Sequence, residues 1–282
     1  MDIGQSNLLG DFLRARREAT SPAQAGFLHA PSRRTPGLRR EEVAMLAGVS
    51  SSYFIRLEQG RERNPSAQVL SALARVLRLD PDATAYLYSL AHPWARPPVE
   101  TGAVEQVSPS LLRLVDLSRH VPALVLGRRL EVLALNPLAE ALYEGLPNLD
   151  NCARMIYLSP GAVDFYPDWE KAARAKTAQL RTAVAADPDD PYLRDLVAEL
   201  TAHSAEFRRI WALHEVQVRG NEEKELRHPR LGDLTLSWEV LSVSGTGQKF
   251  ISLGAEPGSH SEKALMELAA SHAAHTAPSP AV

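Results

Sequence analysis

Apolar residues recur at helical spacing through the first ninety positions. Leu9, Phe12 and Leu13 stripe one segment, Val43 and Ala47 a second, and Phe54 and Leu57 a third. Val69, Leu70, Leu73, Ala74 and Leu77 stripe a fourth, and Leu87 and Leu90 a fifth. Segments this short are unstable alone, so each apolar stripe must find another to cover it. The punctuation agrees with that period. Gly48 falls where the second segment must end in a left-handed residue, and Ser50 can cap the third by accepting from the N–H of Ser52 or Tyr53. Ala44 is small where the two helices would cross, Val49 lies in the turn, and Pro65 with Ser66 and Asp80 with Pro81 suit the starts of the last two. The pattern predicts an all-α module of five short helices over residues 1–92.

From Pro93 to Pro109 the chain reads PWARPPVETGAVEQVSP, proline-rich and without apolar period, which predicts a linker. Beyond it a short helix is expected around Leu111 to Leu117. The apolar runs Ala123–Leu126 and Leu130–Leu135, separated by Gly127, Arg128 and Arg129, then predict a hairpin. Asn136 and Pro137 open a helix through Tyr143. Strand texture returns at Glu223–His228, at Asp233–Val243, where Leu234, Leu236, Trp238 and Val240 alternate, and at Lys249–Leu253. Helices are expected between the strand groups, at Asp168–Ala186, Pro191–Thr201 and Ser204–His214. Two strands, a helical block and three strands predict an α+β domain over residues 110–272: a five-stranded antiparallel sheet with helices on one face, a PAS-like arrangement. Residues 273–282 read as a flexible tail.

The chemistry of the first module lies in RREEVAMLAGVSSSYFIRLEQ, Arg39 to Gln59. Its two helices joined by a glycine turn have the spacing of a helix-turn-helix, whose second helix enters the major groove. Ser51, Ser52, Tyr53 and Arg56 face outward there. Arg56 is the base-reading candidate, since a guanidinium pairs bidentately with guanine O6 and N7. Ser51, Ser52 and Tyr53 suit either a base edge or a phosphate. Ser50, Arg39, Arg40, Arg61 and Arg63 flank this surface as DNA-binding candidates. Arg33 and Arg34, in the Pro- and Gly-containing insert Ser21–Gly37, either extend the phosphate contacts or sit in a solvated basic loop. Glu58 is expected to brace the helix pair by pairing with an arginine. The run TPGLRREEVAMLAGVSSSYFIRLEQGRERNPSAQVLSALARVLRL resembles the Cro/C1-type (XRE-like) helix-turn-helix domain, and that resemblance implies binding to a double-stranded DNA operator.

Composition sharpens this reading. The net charge of −3 over 282 residues argues against nucleic acid, but it hides a split. Residues 1–98 hold 13 Arg and no Lys against 9 Asp plus Glu, a balance of +4, leaving 18 basic against 25 acidic residues, −7, for the rest. Positive charge is concentrated around the motif. The single cysteine, Cys152, cannot form an internal disulfide, and the nine histidines show no ligand spacing, so no metal site is expected and a cytoplasmic location fits. No apolar run is long enough to span a membrane, and no leader pattern opens the chain, so a soluble protein without membrane insertion is expected. Nucleophile elbow, phosphate-loop and dinucleotide motifs are absent, so neither catalytic residues nor enzymatic activity are expected.

In the second domain, VPALVLGRRLEVLALNPLAEALY, YPDWEKAARAKTAQLR, EFRRIWALHEV and HPRLGDLTLSWEVLSV with GAEPGS resemble the MmyB-like ligand-binding domain. The resemblance implies a bacterial regulator whose PAS-like part holds a small apolar, fatty-acid-like ligand and no other cofactor. Met155, Phe165, Trp169, Phe207 and Trp211, with Ile156, are then the candidate walls, and Arg181, Arg208 and His214 the candidate head-group partners. Trp169 and Trp211 are more often plain core than ligand wall, and Arg208 is more often a surface or salt-bridge residue. A homodimer is expected, since one such head reads few base pairs and paired heads read two half-sites. Three other readings remain open: a domain that only dimerises with its interior filled by side chains, an enzymatic second domain, and a haem or flavin PAS domain with His214 on iron.

Overall fold

The computed structural model describes residues 7–26, 36–62, 64–91, 105–215 and 223–276, and the chain divides into two compact units. The first is built on α1 (Leu8–Ala19), α2 (Arg40–Ala47), α3 (Ser51–Glu58), α4 (Ala67–Val76) and α5 (Pro81–Ala91). All five expected stripes supply the core: Phe12, Leu13, Val43, Phe54, Leu57, Leu70, Leu73 and Leu87 are each fully buried. Tyr86, outside the predicted stripe, joins them edge-on to Phe12 with ring centroids 5.2 Å apart. Ends are set locally. Ser50 Oγ accepts from Tyr53 N–H at 3.2 Å, Ser66 Oγ from Val69 N–H at 3.4 Å, and Asp80 Oδ1 from Ala83 N–H at 2.8 Å. Gly48, at φ 70°, ends α2 in the left-handed region.

A buried charge cluster fixes the position of α3. Glu58 is inaccessible to solvent, and its carboxylate accepts from Arg17 Nε of α1 at 2.6 Å and from Arg40 Nε of α2 at 2.5 Å. Arg17 also donates to Leu38 O at 3.0 Å. Asn7 caps α1 through Gly10 N–H and donates to Glu58 O at 2.6 Å. At Gly10 a Cβ would lie 2.3 Å from that same carbonyl, so only glycine lets α1 approach α3 this closely.

The second unit carries β1 (Ala123–Leu126), β2 (Val132–Leu135), β3 (Glu223–His228), β4 (Gly232–Ser242) and β5 (Lys249–Gly254). They form one antiparallel sheet in the order β2-β1-β5-β4-β3. Between β2 and β3 run α7 (Pro137–Leu142), α8 (Cys152–Leu158), α9 (Ala162–Phe165), α10 (Trp169–Ala186), α11 (Pro191–His203) and α12 (Ala205–Ala212). α6 (Pro109–Leu117) precedes the sheet, and α13 (His260–Thr276) follows it, running into the stretch expected as tail.

Two expectations are corrected. Helices lie on both faces of the sheet, not one: Leu111 and Val115 of α6 pack on Ala123, Val125 and Phe250, opposite the face that bears Leu124. Every residue of β1 is therefore buried, which its unbroken apolar run demands. The second strand also starts at Val132 rather than Leu130. Leu130 takes φ 64° to close the hairpin, and Glu131 pairs instead with Asn151. Buried Asn136 ties the parts together: its Oδ1 accepts from Ala139 and Ala123 N–H, and its Nδ2 donates to Ser118 O and Val121 O.

Removing the carboxylate in Glu58→Ala leaves the buried Arg17 guanidinium without its counter-charge, which costs about 3–5 kcal/mol for a buried pair. Thermal unfolding of the full chain should show the first transition strongly lowered. An unchanged midpoint would mean that the cluster contributes nothing to holding α3.

Candidate DNA-reading surface and ligand cavity

α3 presents one solvent face. Ser51, Ser52 and Arg56 are exposed, Tyr53 is half-buried, and Phe54 and Leu57 turn into the core. Ser52 and Arg56 are four apart and so share that face. The Arg56 guanidinium lies over the Tyr53 ring at 5.6 Å, which limits its wandering without consuming its donors. Burial, followed by Glu62, raises the Tyr53 phenol above its ordinary pKa against the opposing pull of Arg56, so it is a neutral hydroxyl near pH 7. Ser50 is also exposed, and its hydroxyl is committed to the helix cap and lies 3.1 Å from Ser52 Oγ. The Tyr53 amide is taken by the Ser50 cap, which leaves the amides of Ser51 and Ser52 at the helix start as the ones suited to a phosphate.

The basic flank surrounds this face. Arg39, at the start of α2, and Arg61, just past α3, are exposed. Arg40 shares its guanidinium with Glu58 while remaining about half exposed. Gly60, at φ 67°, turns the chain after α3 as Gly48 does before it. Arg33, Arg34 and Arg63 lie outside the described residues.

In the second unit, an enclosed space lies between the sheet and the helices α8 and α10. Leu124, Val132, Leu135, Leu149, Met155 and Ile156 give it apolar walls, and Tyr143 and Tyr166 supply hydroxyls. Burial pushes both phenols well above their ordinary pKa, so they remain neutral. Free space inside is about 20 Å³, the room of one water. A broader cleft of about 500 Å³ shares the walls Tyr166, Ala172, Lys224 and Trp238, and adds Asp168, Lys171, Gln179, Glu223 and Glu225. The two spaces thus meet at Trp238.

Of the wall and head-group candidates, Met155 and Ile156 line this interior. Phe165 stands one layer behind, its ring 5.7 Å from Tyr143 and 5.0 Å from Tyr166. Trp169 and Phe207 both pack edge-on against Tyr157, and Trp169 Nε1 donates to Ile156 O. Arg208 is exposed and donates to Thr201 O at 2.6 Å. Arg181, Trp211 and His214 line neither space.

Lysines, rather than those arginines, line the two spaces. Lys176 of α10 is 4% exposed and lines the interior, its Nζ 5.1 Å from the Trp238 ring centroid. Lys224 of β3 sits 3.5 Å over the same ring. Lys249 of β5 has its pKa lowered, first by burial and then by the Lys176 charge. The readable signal was scarcity, because the chain has only five lysines among its 31 basic residues.

Comparison with known families follows the same division. The family model described as MmyB-like transcription regulator ligand binding domain matches residues 107–269, and a helix-turn-helix domain model matches residues 8–87. No curated protein matches the chain.

Since the folded pKa of Lys249 lies below its ordinary 10.5, the unfolded chain binds this proton more tightly. Stability contributed at this site therefore rises with pH over the range just below 10.5. Chemical denaturation across that range should show the rise in the natural chain and a flatter profile in Lys249→Met. Parallel profiles would contradict the burial of this ammonium.

Proposed function

We propose a function from one premise: the chain belongs to the family of the MmyB-like transcription regulator ligand binding domain, and it carries a helix-turn-helix domain ahead of it. It is a DNA-binding transcription regulator. Its first unit reads a double-stranded operator in the manner of Cro/C1-type heads, with Arg56 on a base edge and Ser51, Ser52 and Tyr53 on bases or phosphates. The observation that carries this reading is the outward face of α3, set between two left-handed glycines, on which Ser51, Ser52 and Arg56 stand exposed. Arg39, Arg40 and Arg61 add phosphate contacts, with Arg33, Arg34 and Arg63 as further candidates. Two copies act together on half-sites about 34 Å apart.

The second unit senses a small, largely apolar ligand of fatty-acid-like character. Support comes from the apolar walls around Met155 and Ile156 and from the cleft that opens onto them at Trp238. Each methylene taken from water into such walls contributes about 0.8 kcal/mol. Because the enclosed space now holds about one water, a chain of several methylenes enters by displacing wall side chains, and the unbranched Met155 is suited to yield. Ligand and operator are coupled when the occupied and empty domains favour different arrangements of the two heads.

Two measurements test this. Site selection from random DNA should give a defined motif, and Arg56→Ala should relax one position of it by about 1–3 kcal/mol of discrimination. Arg39→Ala and Arg61→Ala should weaken all sequences alike and lower the salt slope by about 0.9 per lost phosphate contact. An unchanged motif in Arg56→Ala removes it as a base reader. Mass spectrometry of an organic extract of the native protein should find a lipid near one per chain, and an empty extract favours a domain that serves dimerisation alone.

A further inference from the structure

Of the eight large apolar residues exposed among the described ones, four gather on one side of the second unit. Leu112, Leu114 and Leu117 of α6 are 40%, 43% and 75% exposed, and Leu241 of β4 is 58% exposed. Leu241 pairs across the strands with Phe250, so its side chain leaves the sheet on the face that α6 covers. The apolar surface of the helix and that of the sheet are therefore continuous.

Five of the nine residues of α6 are leucine or valine, and they do not fit one stripe. Leu111 and Val115, four apart, are buried against the sheet. At about 100° per residue, Leu112 falls on one flank of that pair, Leu114 on the other, and Leu117 toward the back. A helix apolar on several sides needs cover on several sides, and the sheet supplies one. The charged residues on the back are Arg113 and Asp116, both exposed. Among the described residues neither forms an ion pair.

Whatever covers this back must offer apolar side chains and one charge of each sign. A second α6 running antiparallel does so. With a two-fold axis between residues 114 and 115, Arg113 faces the partner's Asp116, Asp116 faces the partner's Arg113, and Leu112 faces the partner's Leu117 on both sides of the axis. We infer that α6, with Leu241 beside it, is the self-complementary contact through which two copies of this chain pair in solution. The inference rests on the two-copy reading above and gives that pairing its place. A helix about 14 Å long is too short for the roughly 800 Å² per partner of a standard interface, so the outward residues of β4 around Leu241 belong to the same contact. α6 is the first element after the segment that follows the helix-turn-helix helices, so its pairing tethers two heads to one body.

The test is sedimentation equilibrium on the full chain, which should show a dimer that dissociates on dilution. Leu117→Glu should weaken it at least about a hundredfold, because a carboxylate from each copy enters an apolar contact. Arg113→Asp and Asp116→Arg should each weaken it about tenfold or more by setting like charges face to face. Mixed together, these two variants should pair with each other about as tightly as the natural chain, since every charge again meets its opposite across the axis. A role for either charge within one chain does not produce that rescue. Thermal midpoints of all three variants at monomeric dilution should match that of the natural chain, because the substituted side chains are exposed. A dimer that survives all three substitutions, or a mixture that stays monomeric, overturns this contact while leaving pairing through another surface. Leu117→Glu that lowers the midpoint without changing the mass also overturns it, and marks a segment of the same chain as the cover. A natural chain that is monomeric at every concentration overturns the two-copy reading and this inference with it.

Discussion

One carboxylate, shut away from water, holds the reading helix in place. Glu58 ends α3, and the guanidinium groups it receives come from α1 and α2, so three helices meet on two oxygens. Burying an acid this completely is tolerable only when charge and hydrogen bonds are both satisfied, and here both are. Its backbone carbonyl is taken as well, by Asn7, across a gap that Gly10 keeps narrow. Ser51, Ser52 and Arg56 are thereby left exposed while the helix is held by others. One of the two arginines, Arg40, still shows half its side chain to solvent, so the bracing cluster contributes net positive charge to the surface.

The second unit handles buried charge differently. Around the β1–β2 hairpin, Arg129, Asp190, Asn151 and Tyr192 close a network in which each polar group has a neighbour of matching character. On the helix-covered face at Trp238, Lys176 and Lys224 both rest against one aromatic ring.

Much of this was readable along the chain, and the failures have physical reasons. The head was legible because its cues are local: caps at Ser50, Ser66 and Asp80, a left-handed Gly48, and apolar residues three and four apart. The strands were equally plain where polar and apolar residues alternate, as in β4. β1 declared two buried faces through its unbroken Ala123–Leu126 run, yet nothing nearby in sequence names α6 as the cover. Leu130 belongs to an apolar run but turns left-handed because Glu131 is drawn to Asn151, a pairing fixed by tertiary structure. α8 and α9 are too short to show a period, and α13 is rich in alanine and histidine without a strong stripe. The aromatic candidates illustrate the deeper limit. Trp169 and Phe207 look no different in sequence from Trp238, yet the first two close on Tyr157 while the third divides two cavities.

The isolation of the outward face of α3 has an evolutionary consequence. Since the caps, the flanking glycines and the Glu58 cluster fix the helix without help from Ser51, Ser52 or Arg56, these three positions are free to vary at little cost to folding. A duplicated gene could therefore drift to a new promoter by exchanging a few surface side chains, inheriting its scaffold and its second domain unaltered.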